Sequence, residues 1–187
     1  MPKLKPYDLS KVTNLDLAYL AGFIDGEGCF FIGHHVCKSA CTGNKYPNYH
    51  TMLKISNNCK EVLEWILNTF GGRITKFNKN RMKDRNHFTY DIYMTGNLLT
   101  DICELLIPFL KIKKRHAEVM FKMRKTFSRT GSSGPIKQDQ EILVIRAALR
   151  EEMVNLNSRF KSHNYTNHFP SSSPLSSLSC HKEVQVN

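Results

Sequence analysis

The segment Leu20-Ala21-Gly22-Phe23-Ile24-Asp25-Gly26-Glu27-Gly28 constrains this chain more than any other stretch. It reads as an apolar, small-residue helix that ends in carboxylates bracketed by glycines. An acid in the last helical turn faces the negative pole of the macrodipole and costs about 0.3–1 kcal/mol. A cation held at that end would offset the cost. The small residues make a second demand. Ala18, Gly22 and Asp25 fall on one side of the helix, Ala21 adjoins them, and Gly22 and Gly26 form a small-xxx-small step. Such a surface lets two helix backbones approach closely. The segment occurs once, which points to a second copy of the chain as the partner helix.

The charge balance narrows the partner class. Lys+Arg 27 against Asp+Glu 16 gives a formal net charge of +11 over 187 residues. An excess of this size is a footprint for nucleic acid or an anionic membrane. The longest apolar stretch, Leu17 to Ile24, is too short to span a bilayer, and Met1–Pro6 lacks the apolar core of a signal peptide. The basic residues are spread along the whole chain rather than gathered on one amphipathic helix, so nucleic acid is expected and membrane is not. The six cysteines contain no Cys-x-x-Cys pair and read as reduced thiols. His34, His35, Cys37, Cys41 and His50 crowd one region, but their spacing matches no standard zinc finger. They are read as strand and loop residues.

Periodicity divides the chain into three parts. Residues 1–13 form a basic N-terminal arm, 14–157 a domain, and 158–187 a Ser-rich tail of disordered character. In the domain, Thr13 or Asn14 caps a helix over Leu15–Asp25. Strands follow at Cys29–Lys38 and Tyr46–Asn57, then an amphipathic helix Asn58–Phe70 that stops at Gly71-Gly72. A second strand pair, Arg73–Asn78 and His87–Thr95, flanks a basic loop (Lys79, Arg81, Lys83, Arg85). Helices are expected at Asn97–Ile107, at Lys111–Arg129 and, after a Gly/Ser linker, at Gln138–Leu156. The class is α+β in the order αββαββα with added C-terminal helices. The strand pairs are expected to join in one sheet backed by helices on one face, with the other face open. Alternation puts Tyr49, Thr51, Leu53 and Ile55 on one side of the second strand, and Asn48, His50, Met52, Lys54 and Ser56 on the other.

With these residues in place, Leu20–Gly28, LAGFIDGEG, resembles the signature of the LAGLIDADG homing endonucleases. Pro108-Phe109-Leu110-Lys111-Ile112-Lys113-Lys114-Arg115-His116-Ala117 is similar to the basic segment of that family that carries an active-site lysine. Ile55-Ser56-Asn57-Asn58 before a helix ending in Gly71-Gly72 fits as well. The resemblance spans roughly residues 14–157. It implies a saddle-shaped antiparallel sheet over the DNA major groove, and pairing of single-motif chains through their motif helices at Ala18, Ala21, Gly22 and Asp25. It implies Mg²⁺ (or Mn²⁺) and no organic cofactor, the metal held by the Glu27 carboxylate and the Gly26 carbonyl. Hard divalent cations take oxygen ligands and keep several waters, so few protein ligands are needed. Lys113 is expected to stabilise charge on the phosphate or to assist the water. Asn57 is expected to position that water, a role that passes to Ser56 or Asn58 if the strand slips by one.

The same resemblance implies cleavage of both strands of a long pseudo-palindromic site, as in intron homing, by an intron-encoded protein of a chloroplast or mitochondrion. The alternative is an RNA-binding splicing factor (a maturase) of the same fold, with intron RNA as its partner. Counting by twos from Glu27, Cys29, Phe31, Gly33 and His35 should face the DNA, with Asn48, His50, Lys54, Ser56, Arg73, Thr75, His87, Thr89 and Asp91. Lys111, Lys114 and Arg115 are expected to touch phosphates. The motif carries Glu27 where Asp is commoner in the family. That keeps the charge on a longer arm.

Overall fold

The computed structural model describes residues 7–38, 43, 45–78, 88–127 and 140–163. The loop cations Lys79, Arg81, Lys83 and Arg85, the expected DNA contact His87, the linker at 130–135 and the Ser-rich run at 171–177 lie outside these. After a short 3-10 turn at Leu9–Lys11, the chain runs α1 (Asn14–Glu27), β1 (Gly28–Lys38), β2 (Lys45–Asn57), α2 (Lys60–Phe70), β3 (Arg73–Asn78), β4 (Phe88–Met94), α3 (Gly96–Leu106), α4 (Lys114–Lys125) and α5 (Gln140–His163). The strands form one antiparallel sheet in the order β1-β2-β4-β3, saddle-shaped and backed by the helices. This is the expected α+β architecture.

The ends of the elements follow from local hydrogen bonding. Thr13 caps α1 by accepting from the Asp16 N–H, while the Asp16 carboxylate accepts from the Thr13 N–H, a reciprocal capping box. α2 starts at Lys60 rather than Asn58, because the Asn57 side-chain oxygen accepts the Cys59 N–H at 2.7 Å and holds the chain in a turn. It stops where expected, with Gly71 at φ 88° and Gly72 at φ 112°, in the left-handed region where a side chain would be strained. α5 continues to His163, so the expected boundary at 157/158 falls inside a helix.

The core lies between the sheet and the helices. Phe30 and Ile32 of β1, Leu53 and Ile55 of β2 and Ile92 and Met94 of β4 are buried against Leu20 and Ile24 of α1, Leu63 and Ile66 of α2 and Leu99 and Ile102 of α3. Because strand side chains alternate, burying this set turns the intervening residues to the opposite, open face. Among the described residues, Cys29, Cys37, Cys59 and Cys103 are free thiols. No described helix is long and apolar enough to cross a membrane.

Candidate metal centre and nucleic-acid interface

α1 is apolar on two sides. Leu17, Leu20, Ala21 and Ile24 are buried in the core. The other side exposes Leu15 (83%), Ala18, Tyr19 (52%), Gly22 and Gly26. A Cβ added at Gly22 or Gly26 would meet nothing within 4 Å. An uncovered strip of small and apolar groups thus runs the length of the helix. Tyr19 packs edge-on against Trp65 of α2, their centroids 5.1 Å apart, and flanks the strip with an aromatic ridge.

The foot of α1 is clamped to the turn before α4. The Asp25 carboxylate accepts three backbone N–H groups, those of Lys111 (2.8 Å), Ile112 (3.1 Å) and Lys113 (2.8 Å). Lys113 answers in the opposite direction: its Nζ donates to the carbonyls of Ile24 (2.8 Å) and Asp25 (2.9 Å). Its ammonium therefore sits on the negative end of the α1 dipole, and the cation that end requires comes first from within the chain. Burial lowers the Lys113 pKa, while Asp25, Cys29 and Glu27 oppose that shift. Beyond the clamp, Glu27 is exposed as the last residue of α1, and its carboxylate makes no hydrogen bond or ion pair with a described residue. The Gly26 carbonyl accepts no hydrogen bond from a described residue either. This is one free carboxylate and one free carbonyl, a donor set suited to a hard cation that keeps most of its waters. No group of three or more His, Cys, Asp or Glu among the described residues could hold a metal.

The open sheet face starts next to this point. The register aligns Cys29 with Lys54, Phe31 with Met52, Gly33 with His50 and His35 with Asn48 across β1 and β2. It aligns Lys54 with Tyr93 and Ser56 with Asp91 across β2 and β4, and Arg73 with Tyr93 and Thr75 with Asp91 across β3 and β4. One face therefore carries the whole expected polar set that the structure describes.

The LAGLIDADG endonuclease family matches residues 20–122, more than half of the chain. The chain belongs to that family. Among curated protein sequences no relative matches significantly. Solved homing-endonuclease structures share its fold. The homing endonuclease I-CvuI, in complex with the I-CreI target, aligns with a TM-score of 0.58 at 20% identity over 76% of this chain and 82% of its own. The archaeal intron-encoded I-Vdi141I, complexed with DNA, aligns at 0.53 and 20% identity over 81% and 98%. The group I intron-encoded I-CeuI, also complexed with DNA, aligns at 0.51 and 22% identity over 79% and 70%.

Several residues expected at the site prove to be engaged within their own chain. Ala21, expected on the pairing surface, is 1% exposed and belongs to the core face of α1, one helical position away from the uncovered strip. Asp25, expected at the same surface, has its carboxylate occupied by the 111–113 turn. The expected helix Lys111–Arg129 loses its first turn to that clamp, so α4 begins at Lys114 and Lys113 precedes it. Arg115 is held by Glu152 of α5 (2.6 and 2.7 Å) and by Glu118 (3.1 Å), so it ties α4 to α5 rather than standing free for a phosphate. Asn57 spends its side-chain oxygen on the turn before α2.

Asp91 is engaged as well. It is 3% exposed and accepts from Lys54 (3.0 Å) and Tyr93 (3.1 Å). Burial pushes its pKa up, but Ser56, Lys54 and Tyr93 outweigh that and hold it below the ordinary carboxylate range. Its carboxylate joins Lys54 to Tyr93 on the open face. Tyr93 is the face residue that the sequence reading missed. Counting two beyond Asp91 finds it. Thr89 hydrogen-bonds Asn58 at 3.2 Å, and Lys111 and Lys114 are exposed.

Proposed function

We propose that this chain is a site-specific DNA endonuclease that acts as a homodimer, pairs through α1 and cleaves both strands of a long pseudo-palindromic site. The observation that carries the reading is the uncovered small-residue strip of α1, which ends in the free Glu27 carboxylate. Pairing two such strips brings two carboxylates to one axis, and cutting two strands requires two such sites. A dimer of two +11 chains carries a large positive charge, and the open sheet faces lay their polar residues along the duplex.

Glu27 and the Gly26 carbonyl would hold Mg²⁺ (or Mn²⁺), which would supply an activated water and neutralise charge on the leaving oxygen. The chain's own groups do the remainder. Lys113, partly desolvated beside Glu27, places a positive charge at the foot of the helix, where the phosphate carries its negative charge. Ser56, Lys54, Tyr93 and Arg73 set the DNA against that foot. An organellar intron is the expected setting of such a gene.

The test is selection of cleaved sequences from a randomised duplex library by the full chain with Mg²⁺, repeated with Glu27→Gln. The expected result is one enriched site cut on both strands by the wild type. The variant should bind that site within about tenfold of wild type and leave it uncut, because it loses metal binding and little else. Absence of cleavage by the wild type, or equal cleavage by the variant, refutes the proposal.

A further inference from the structure

Gly33 stands in the middle of β1 on the open face, where alternation gives its neighbours Phe31 and His35 exposed side chains. Gly33 itself is buried. What covers it is the imidazole of its cross-strand partner His50. A Cβ at residue 33 would stand 1.9 Å from His50 Cε1, 2.1 Å from Nε2 and 2.7 Å from Nδ1. Non-bonded carbons settle at about 3.5–4.0 Å, so no side chain fits there while the ring keeps its place. The nitrogen-bearing side of His50 thus leans from β2 across the gap that the glycine leaves in β1.

That placement completes a row. The His50 ring lies 5.6 Å from Phe31 and 5.7 Å from His35, tilted to both. His35 Nε2 is in turn 3.4 Å from Asn48 Nδ2. Phe31 is 40% exposed, and both histidines are exposed. These rings therefore add little to the core, and a glycine reserved for them calls for another reason.

We infer that Gly33 is a specificity-determining position: by leaving room for His50 it sets Phe31, His50 and His35 in one reading row along β1. The inference rests on the reading of the open face as a DNA surface. Centroid steps of 5.6 and 5.7 Å exceed the base-pair rise of about 3.4 Å, so the rings face different base pairs. The chemistry differs along the row. Phe31 suits a thymine methyl, and an imidazole N–H suits the O6 or N7 acceptors of a purine. The clash at residue 33 involves the far end of a flexible side chain. A methyl there therefore displaces His50 without disturbing the strand.

The experiment compares the full-length wild type with Gly33→Ala, His50→Ala and the double variant. Each is assayed against every single base-pair substitution of the wild-type site and by thermal melting. Gly33→Ala should melt within about 2 °C of wild type. It should lose about tenfold discrimination at a few adjacent pairs in each half-site, the scale of one good base contact. His50→Ala should lose it at the same pairs, and adding Gly33→Ala to His50→Ala should change it by less than about twofold, because the two act as one unit. An unchanged Gly33→Ala profile, or losses that add in full in the double variant, overturns the inference while wild-type selectivity stands. A wild type that selects no DNA sequence overturns the DNA reading itself and this inference with it.

Discussion

Asp25→Ala tests the clamp that holds the foot of α1. The substitution removes an acceptor of three backbone N–H groups, two at exposed positions and one, that of Lys113, partly buried. A hydrogen bond to an ionised group contributes about 1.5–3 kcal/mol where it is sheltered and less where water replaces it, so the whole loss should be about 2–4 kcal/mol. For a chain of this size each kcal/mol moves the melting temperature by about 2–4 °C, which predicts a fall of about 5–15 °C. Asp25→Asn keeps one oxygen and should recover part of it. Catalysis should suffer separately. Releasing the 111–113 turn lets Lys113 and Glu27 drift apart, and a misplacement of 1 Å costs about a hundredfold in rate. Melting followed by circular dichroism, with single-turnover cleavage and DNA binding on the same samples, measures all three. The clamp lies within one chain, so the melting shift should not depend on protein concentration. A shift under about 2 °C, or one that vanishes at high concentration, would refute the clamp and return Asp25 to the pairing surface.

The strip on α1 gives a second test. A Cβ at residue 22 meets nothing within 4 Å in its own chain, and Gly22→Leu gains about 0.5–1 kcal/mol of helix propensity. The monomer should fold at least as well while sedimentation shows loss of the dimer; a variant that stays dimeric refutes pairing through this face. For His116, burial first and then the Lys113 ammonium hold the imidazole below its ordinary range, against smaller opposing contributions from Leu156 and Asp25. On acidification the unfolded chain takes that proton first, so stability should fall as pH drops through about 6.5. Melts from pH 7.5 to 5.5 should slope less for His116→Leu, and equal slopes would exclude the effect. Asp91 has the depressed value usual for a paired carboxylate, so its stabilisation is present at neutral pH and is lost as pH falls below about 3.9. Asp91→Asn should therefore melt lower than wild type at pH 7, with the gap narrowing as pH falls below about 3.9; a gap independent of pH would contradict the ion pair with Lys54.

Sequence by itself determined much of this protein, because its main signals are local. Alternation in Tyr49–Ser56 separates core from open face, since a strand reverses its side chains at every residue. Capping at Thr13 and the stop at Gly71-Gly72 depend on groups a few residues away, and the chain's own chemistry places them. The Leu20–Gly28 segment shows in its own letters a helix of small residues with carboxylates at its foot. Tertiary structure decided which neighbouring groups remain free. Ala21 and Gly22 are adjacent small residues, yet a turn of about 100° per residue sends one to the core and the other to solvent. Asp25 is claimed by N–H groups 86 to 88 residues away, Arg115 by a glutamate on α5, and Gly33 is reserved by a ring on the next strand. Those contacts join positions distant in sequence, and a linear pattern holds no record of distances that exist only once the chain has folded.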